Sequence, residues 1–238
     1  EDLREALMLE SANDAAVTLA EGVAGSVRAF VAEMNARAEA LGLDDTRYVD
    51  PIGIGARNRS SAEDLATLAR VLLRDEDFAA LVDRPTAVLE TGARRRVVRN
   101  RNRLVATHPF VDGVKTGHTR EAGYVLVGSA TGRRKQVVSV VLGEPSEAAR
   151  DADTLALLRW GIDQYRRVPV VRARTVIHRV PVRWLDDGEA ALMATEDVAL
   201  TVRRGEQPRT IIDAPDELEG PLPAGERGGG GAVVHRGK

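Results

Sequence analysis

Cysteine is absent from the 238-residue chain, which excludes disulfides, thiol catalysis and cysteine-ligated metals while leaving the redox compartment open. Lysine is almost absent too. The basic residues are arginines except at Lys115, Lys135 and Lys238, so a lysine at a special position is more informative here than usual. No apolar run approaches the length that spans a bilayer. Nor is there an excess of one charge: 34 basic and 36 acidic residues leave a formal charge of −2. That balance exerts no sequence-independent pull on nucleic acid or an anionic membrane, and nucleic acid is not expected as a partner. The opening Glu1-Asp2-Leu3-Arg4 is neither a signal peptide nor a methionine start, and the expectation is that the chain begins inside a longer protein.

What is present is an ordinary globular composition, 43% hydrophobic and 29% charged, which argues against disorder. The length can bury a sizeable core, and two domains are expected, at 1–167 and 168–238. Apolar residues recur at helical spacing from Leu3 to about Val23, interrupted by Ser11-Ala12-Asn13-Asp14, a pattern of helix, turn, helix. Val27, Phe30, Val31, Met34, Ala38 and Leu41 then share one face of a helix that Gly42 is suited to end. Ser60 and Glu63 form a capping-box pattern ahead of Leu65, Leu68, Leu72 and Leu73. Ala87-Val88-Leu89 and Val97-Val98 flank Thr91-Gly92-Ala93-Arg94 as a hairpin would.

Three strand-like runs follow, 111–119, 123–131 and 136–143, with Thr131-Gly132-Arg133-Arg134 as the turn between the last two. Their nearly continuous apolar character predicts an antiparallel sheet covered by helices on both faces. Ser146 can cap a helix running through to Arg167. Beyond Val168 short β-prone pieces, among them 174–177 and 198–202, predict a small all-β domain, with a last strand Ala232-Val233-Val234 after a glycine-rich turn at 228–231. The fold class is therefore α/β, in the α+β sense of an antiparallel sheet with helices.

Ser11-Ala12-Asn13 and Lys115-Thr116-Gly117 match two of the three signature elements of serine acyl-enzyme peptidases and β-lactamases, Ser-x-Asn and Lys-Thr-Gly. Each alone is weak, since a helix cap or a turn between strands accounts for it equally well. The residue types nevertheless suit the chemistry. A serine hydroxyl both donates and accepts and can relay a proton. An asparagine amide can hold a substrate carbonyl, and a compact ammonium sets a point charge that arginine would not reproduce. Thr116 can bond a substrate carboxylate, and Gly117 lets an extended peptide approach the strand. His108, His178 and His235 have no metal-site spacing, so no metal and no other cofactor is expected.

Longer strings are more specific: Glu10 to Ala16, Leu41-Gly42-Leu43 through Asp50-Pro51-Ile52-Gly53, Val111 to Thr119, and Glu121-Ala122-Gly123-Tyr124. In order and spacing they resemble the low-molecular-mass D-alanyl-D-alanine carboxypeptidases, penicillin-binding proteins of serine peptidase family S11, over about residues 3–166. Gly220 to Gly225 extends the resemblance into the β-rich remainder. The resemblance implies a β-lactamase/transpeptidase-like domain followed by a small β domain. It also implies a secreted, extracytoplasmic hydrolase that removes the terminal D-alanine of peptidoglycan stem peptides in cell-wall biosynthesis, is inhibited by β-lactams, and needs no cofactor.

It further implies catalytic roles for Ser11, Asn13, Lys115 and His118, the last through its backbone N–H in an oxyanion hole. Thr116, Gly117, Thr119 and Arg150 become substrate-binding, Arg150 as a clamp on a terminal carboxylate. Membrane anchoring is left open. A β-lactamase and a non-catalytic wall-binding pseudo-enzyme are the alternatives.

The chain departs from the family at one point. No serine or threonine is followed three residues later by lysine, so the family's nucleophile and its activating lysine are missing. N-terminal truncation is the expected reason. Without that segment, the apolar positions Leu7, Val17 and Val138 are expected to lack partners and the chain to be inactive and poorly stable.

Overall fold

The computed structural model describes every residue except 92–93, 185, 187, 222–224, 226–228 and 235–238. The chain divides into two compact units, Glu1–Ile162 and Asp163–Lys238.

The first unit opens with one short α-turn, α1 (Asp2–Glu5), which widens into a π-helical turn over Ala6–Glu10 before α2 (Asn13–Ala24) begins. The break that Ser11-Ala12-Asn13-Asp14 predicts thus falls on Ser11 and Ala12 alone, and Asn13 already belongs to the helix. Ser26 caps α3 (Val27–Ala40) by accepting from the Ala29 N–H. α4 (Ala62–Leu72) is capped by Ser61, not by Ser60. The shift has a visible cause: Ser60 Oγ lies 2.8 Å from Thr46 Oγ1, while Asp64 accepts from the Asp45 N–H and the Thr46 hydroxyl. The box therefore starts one residue later, and the polar group at its third position braces the preceding loop. α5 (Glu76–Val82) follows under an Asp75 cap.

β1 (Thr86–Leu89) and β2 (Arg96–Arg99) pair antiparallel as expected; their expected turn at 92–93 lies outside the described residues. After α6 (Arg103–Thr107) come β3 (Val111–Thr119), β4 (Gly123–Gly132) and β5 (Lys135–Glu144), an antiparallel meander in the order β3-β4-β5. Val125-Leu126-Val127 and the 137–142 run, interrupted only by Ser139, are nearly continuous in apolar character because helices cover both faces. On one side, α7 (Glu147–Asp163) lays Leu158 against Leu126, Ala130, Leu104 and Val111. On the other, Ala69 of α4 and Val82 of α5 meet Val114, Val127 and Val138. Leu126 and Leu158 are each 0% exposed, and such side chains contribute about 2 kcal/mol apiece.

Contact with α7 is close enough to dictate residue type. A Cβ on Gly128 would sit 2.7 Å from Thr154 Cγ2 and 2.9 Å from Ser139 Oγ. Two of the three positions expected to lack partners have them: Leu7 packs on the cluster of Leu9, Leu81 and Leu89, and Val138 on that of Ala69 and Val82.

α7 stops at Asp163, short of the expected Arg167, because Tyr165–Val171 alternates as strand β6 and pairs with β9 (Val198–Arg203). Among the described residues of the second unit the elements from β6 onward are all strands. β7 (Val176–Arg183) pairs with β8 (Glu189–Met193) and with β11 (Leu218–Glu219), and β10 (Arg209–Asp213) pairs with β12 (Gly230–Val234). Val180 of β7 and Val202 of β9, 0% and 1% exposed, are the buried hydrophobic residues among those described in this unit. The start of the glycine-rich turn at 228 and the proline-rich stretch at 222–224 lie outside the described residues.

Candidate active site

Leu9 is 0% exposed, anchored among Leu81, Leu89 and Val98. The chain must leave that anchor and turn outward within two residues. It does so by widening: the Ser11 and Ala12 N–H groups both reach back to the Ala6 carbonyl. Such a π-turn re-aims the residue that follows it. Ser11 sits in the left-handed region at φ 60, ψ 41, a conformation that costs a non-glycine residue about 1 kcal/mol and persists only where the surroundings enforce it.

Arg101 supplies that enforcement. Its backbone N–H donates to the Leu9 carbonyl at 3.0 Å. Its Nε donates to the Glu10 carbonyl at 2.6 Å, and its guanidinium meets the Glu10 carboxylate at 3.4 Å. Asn102, 1% exposed, follows it directly and donates from Nδ2 to the Gly113 carbonyl at 2.9 Å. Arg101 and Asn102 together therefore tie the Ser11 turn to the start of β3. Sequence reasoning passed over both; the available signal was Asn100-Arg101-Asn102, a polar triplet directly before a helix of only five residues.

Lys115 lies on β3 opposite Val127, and directly paired residues of an antiparallel ladder share a face. Val127 belongs to the helix-covered cluster that Met8 of the π-turn also joins. The lysine is thereby directed toward the N-terminal turn, and its Nζ donates to Ser11 Oγ at 2.9 Å and to the Thr116 carbonyl at 2.9 Å. These two residues are 104 positions apart in sequence. Burial, and secondarily the positive charge of Arg101, lowers the Lys115 pKa to about 8. On that value about a tenth of the amine is neutral at pH 7. The pair can thus hold a proton on nitrogen or pass it to the hydroxyl near neutral pH.

The remaining expected site residues are placed less uniformly. Thr116 and Gly117 follow Lys115 along β3, paired with Leu126 and Val125. A Cβ at 117 would come within 2.8 Å of Val125 Cγ2, so the neighbouring strand favours glycine here irrespective of any ligand. His118 is exposed, with its ring stacked on Tyr124 at 4.0 Å between centroids. Thr119 Oγ1 accepts from the Ala122 N–H and shapes the β3–β4 turn. Asn13 is exposed at the first position of α2, and its amide has no partner among the described residues.

Arg150 makes its hydrogen bonds to an acidic neighbour and none to Ser11 or Lys115. It is 3% exposed on α7, where Nε and Nη2 grip the Asp151 carboxylate at 3.0 and 2.8 Å and Nη1 lies 3.9 Å from Glu147. The arrangement has a basic hydroxyl relay, an edge strand open to an extended peptide, and no serine–lysine pair three residues apart.

The fold class is that of the penicillin-binding proteins: the structure of penicillin binding protein 5 from Haemophilus influenzae matches all of this chain and 70% of that one, at 31% identity and TM-score 0.67. The sequence family follows directly. The family model for D-alanyl-D-alanine carboxypeptidases matches residues 1–146, and the chain belongs to that family. It is 30% identical over 230 residues to the D-alanyl-D-alanine carboxypeptidase DacF of Bacillus subtilis, covering 94% of this chain and 59% of that protein. To the carboxypeptidase DacA of Escherichia coli K12 it is 37% identical over 199 residues, 83% of this chain and 49% of that protein. The chain thus spans 49–59% of the length of these two relatives.

Proposed function

We propose that the protein is a serine-type D-alanyl-D-alanine carboxypeptidase that removes the terminal D-alanine of peptidoglycan stem peptides through an acyl-enzyme, and that this chain supplies the substrate-facing wall of the site. The observation that carries the proposal is the 2.9 Å bond from Lys115 Nζ to Ser11 Oγ. In this reading the Ser11 hydroxyl passes a proton from Lys115 to the leaving amine, because a hydroxyl accepts and donates at once. The Lys115 charge and the Thr116 hydroxyl hold the terminal carboxylate, and the peptide adds to the edge of β3. The free Asn13 amide takes a substrate carbonyl, and the His118 backbone N–H faces the developing oxyanion. Thr119 acts through the turn it shapes. Arg150 is assigned the terminal carboxylate as a further contact: Asp151 engages its Nε and Nη2, which leaves the N–H groups of Nη1 to donate.

The substrate implies an extracytoplasmic, cell-wall location, and β-lactams are the expected inhibitors. The names of the relatives support this reading over a β-lactamase or a wall-binding pseudo-enzyme.

No serine–lysine pair with the required spacing lies within these residues, so this polypeptide by itself forms no penicillin adduct. Incubation with a fluorescent penicillin is the test, and a covalent label on the 238-residue chain overturns the assignment of roles. Joined to a Ser-x-x-Lys segment of a family S11 relative, the chain is expected to be acylated. Lys115→Ala then slows acylation by about 10²–10⁴, the usual contribution of a positioned proton-transfer group. An unchanged rate refutes the relay.

A further inference from the structure

The near-neutral balance of the whole chain hides a local excess. Between residues 84 and 103 there are seven arginines and one acid, Glu90, whereas the other 218 residues carry 27 basic and 35 acidic side chains. Six net positive charges are thus concentrated in the β1–β2 hairpin and the turn that leaves it.

The hairpin sorts its side chains onto two faces. Ala87, Leu89 and Val98 join the Leu9 cluster, so strand alternation turns Val88, Val97 and Arg99 the other way. That outward face is open: Val97 is 63% exposed, Arg95 and Arg99 are exposed, and among the described residues no third strand pairs with β1 or β2.

Most of the acids near the hairpin are already engaged. Glu1 and Glu5 meet Arg84, Asp2 accepts from the Thr91 N–H and hydroxyl, and Glu10 is held by Arg101. Arg96 lines a recess of about 390 Å3 that Asp2, Glu10 and Asp14 also line, so its charge is balanced there. Arg95 Nη2 lies 3.1 Å from Glu90, with both side chains largely exposed. Arg94, Arg99 and Arg103 are exposed and have no acidic partner among the described residues. Guanidinium groups held this close repel one another, and a polyanion from outside relieves that repulsion.

The surroundings select the kind of polyanion. Guanidinium offers paired donors that match phosphate oxygens. Residues 84–103 contain no aromatic side chain, so nothing here stacks on a nucleic-acid base. With Leu89 and Val98 turned inward, the well-exposed apolar surface is the single side chain of Val97, too little to hold a protein on a bilayer. A flexible chain of phosphates needs neither feature and can follow the arginines past the strand end.

We infer that the outward face of the β1–β2 hairpin, with Arg94, Arg95, Arg99 and Arg103, is a docking surface for a linear polymer of phosphodiesters on a non-aromatic backbone. The inference stands apart from the reaction proposed above. Docking there leaves the Ser11 turn directly beside the bound polymer, because the Glu10 carboxylate takes the Arg99 N–H at 3.4 Å.

The test is binding of labelled poly(glycerol phosphate) to the purified protein, followed by fluorescence anisotropy across a series of salt concentrations. Each phosphate neutralised on a flexible single chain contributes about −0.7 to the slope of log affinity against log salt, so four contacts give about −3. Arg94→Gln, Arg99→Gln and Arg103→Gln together are expected to reduce the slope to about −1 and to weaken binding about a hundredfold at about 0.1 M salt. Arg94→Lys, Arg99→Lys and Arg103→Lys together keep the charge and the slope, which separates lost charge from lost folding; a slope lost here too overturns the electrostatic contact. Arg28→Gln, Arg37→Gln and Arg70→Gln together remove the same charge from α3 and α4 and should leave the slope near −3. No binding by the unsubstituted protein, or an equal loss in the two glutamine triples, overturns the surface. Phosphatidylglycerol vesicles and oligothymidylate are the competing probes, and tighter binding of either at equal phosphate overturns the choice of polymer.

Discussion

Lys115 is a direct test of the electrostatics of the site. Its pKa is lowered from 10.5 to about 8, first by burial and second by Arg101. The difference corresponds to about 3 kcal/mol favouring the neutral amine. The sign for stability follows from linkage: between pH 8 and about 10.4 the unfolded chain binds a proton that the folded chain has released, so folding stability rises with pH across that window and is flat with respect to this group below it. The scarcity of lysine makes the measurement direct. With only Lys115, Lys135 and Lys238 in the chain, selective isotope labelling of lysine leaves three side-chain resonances, and the one lost in Lys115→Arg is Lys115. It is expected to titrate near pH 8. In Arg101→Gln the midpoint rises by less than half of the full shift, because burial is the larger cause and remains. A Lys115 midpoint above about 9.5 in the unsubstituted protein refutes the buried, Arg101-coupled lysine. A midpoint unmoved in Arg101→Gln refutes the coupling alone.

Further expectations come from packing. Thr154 is 0% exposed and its hydroxyl has no partner among the described residues, so Thr154→Val should stabilise the protein by about 1 kcal/mol in urea unfolding. Gly128→Ala should destabilise it by about 1–3 kcal/mol in the same assay, since the new methyl meets Thr154 and Ser139 inside contact distance. Arg84→Met should cost about 2–4 kcal/mol: it leaves the Glu5 carboxylate, 5% exposed and now 2.6 Å from Arg84 Nη1, buried without its cation. A neutral result there would mean that Glu5 is reached by water.

The meander β3-β4-β5 was readable because three apolar runs separated by turn residues have few other solutions, and Lys115 stood out because the chain spends so few lysines. The Ser11–Lys115 pairing was likewise open to inference, as both residues fall in recognisable strings. The device that delivers Ser11 was not. A π-turn differs from an α-turn by one residue, and nothing in Ala6-Leu7-Met8-Leu9-Glu10 announces it. Its cause is the burial of Leu9 combined with the grip of Arg101, a residue that looks like any other arginine until the fold sets it beside Glu10. The Ser60/Ser61 cap was off by one for a related reason: two adjacent serines are equivalent in sequence, and only the Thr46 hydroxyl distinguishes them. The role of Arg150 comes from the resemblance, which carries no information about which way a buried guanidinium turns; here Nε and Nη2 face Asp151.

Met8 packs against both the Leu9 cluster and the Val82–Val114 cluster, and so sits where the turn bearing Ser11 meets the sheet bearing Lys115. The two halves of the pair are separated by 104 residues, which makes their meeting a late, non-local event in folding. No local propensity can set the distance between them; it depends on the ties made by Arg101 and Asn102 and on how one flexible thioether fills the gap between two cores. Methionine tolerates irregular gaps, and the site therefore carries an adjustable spacer between the two elements that bear the pair. Drift at position 8 would alter proton transfer between Lys115 and Ser11 while leaving both residues, and the fold around them, in place.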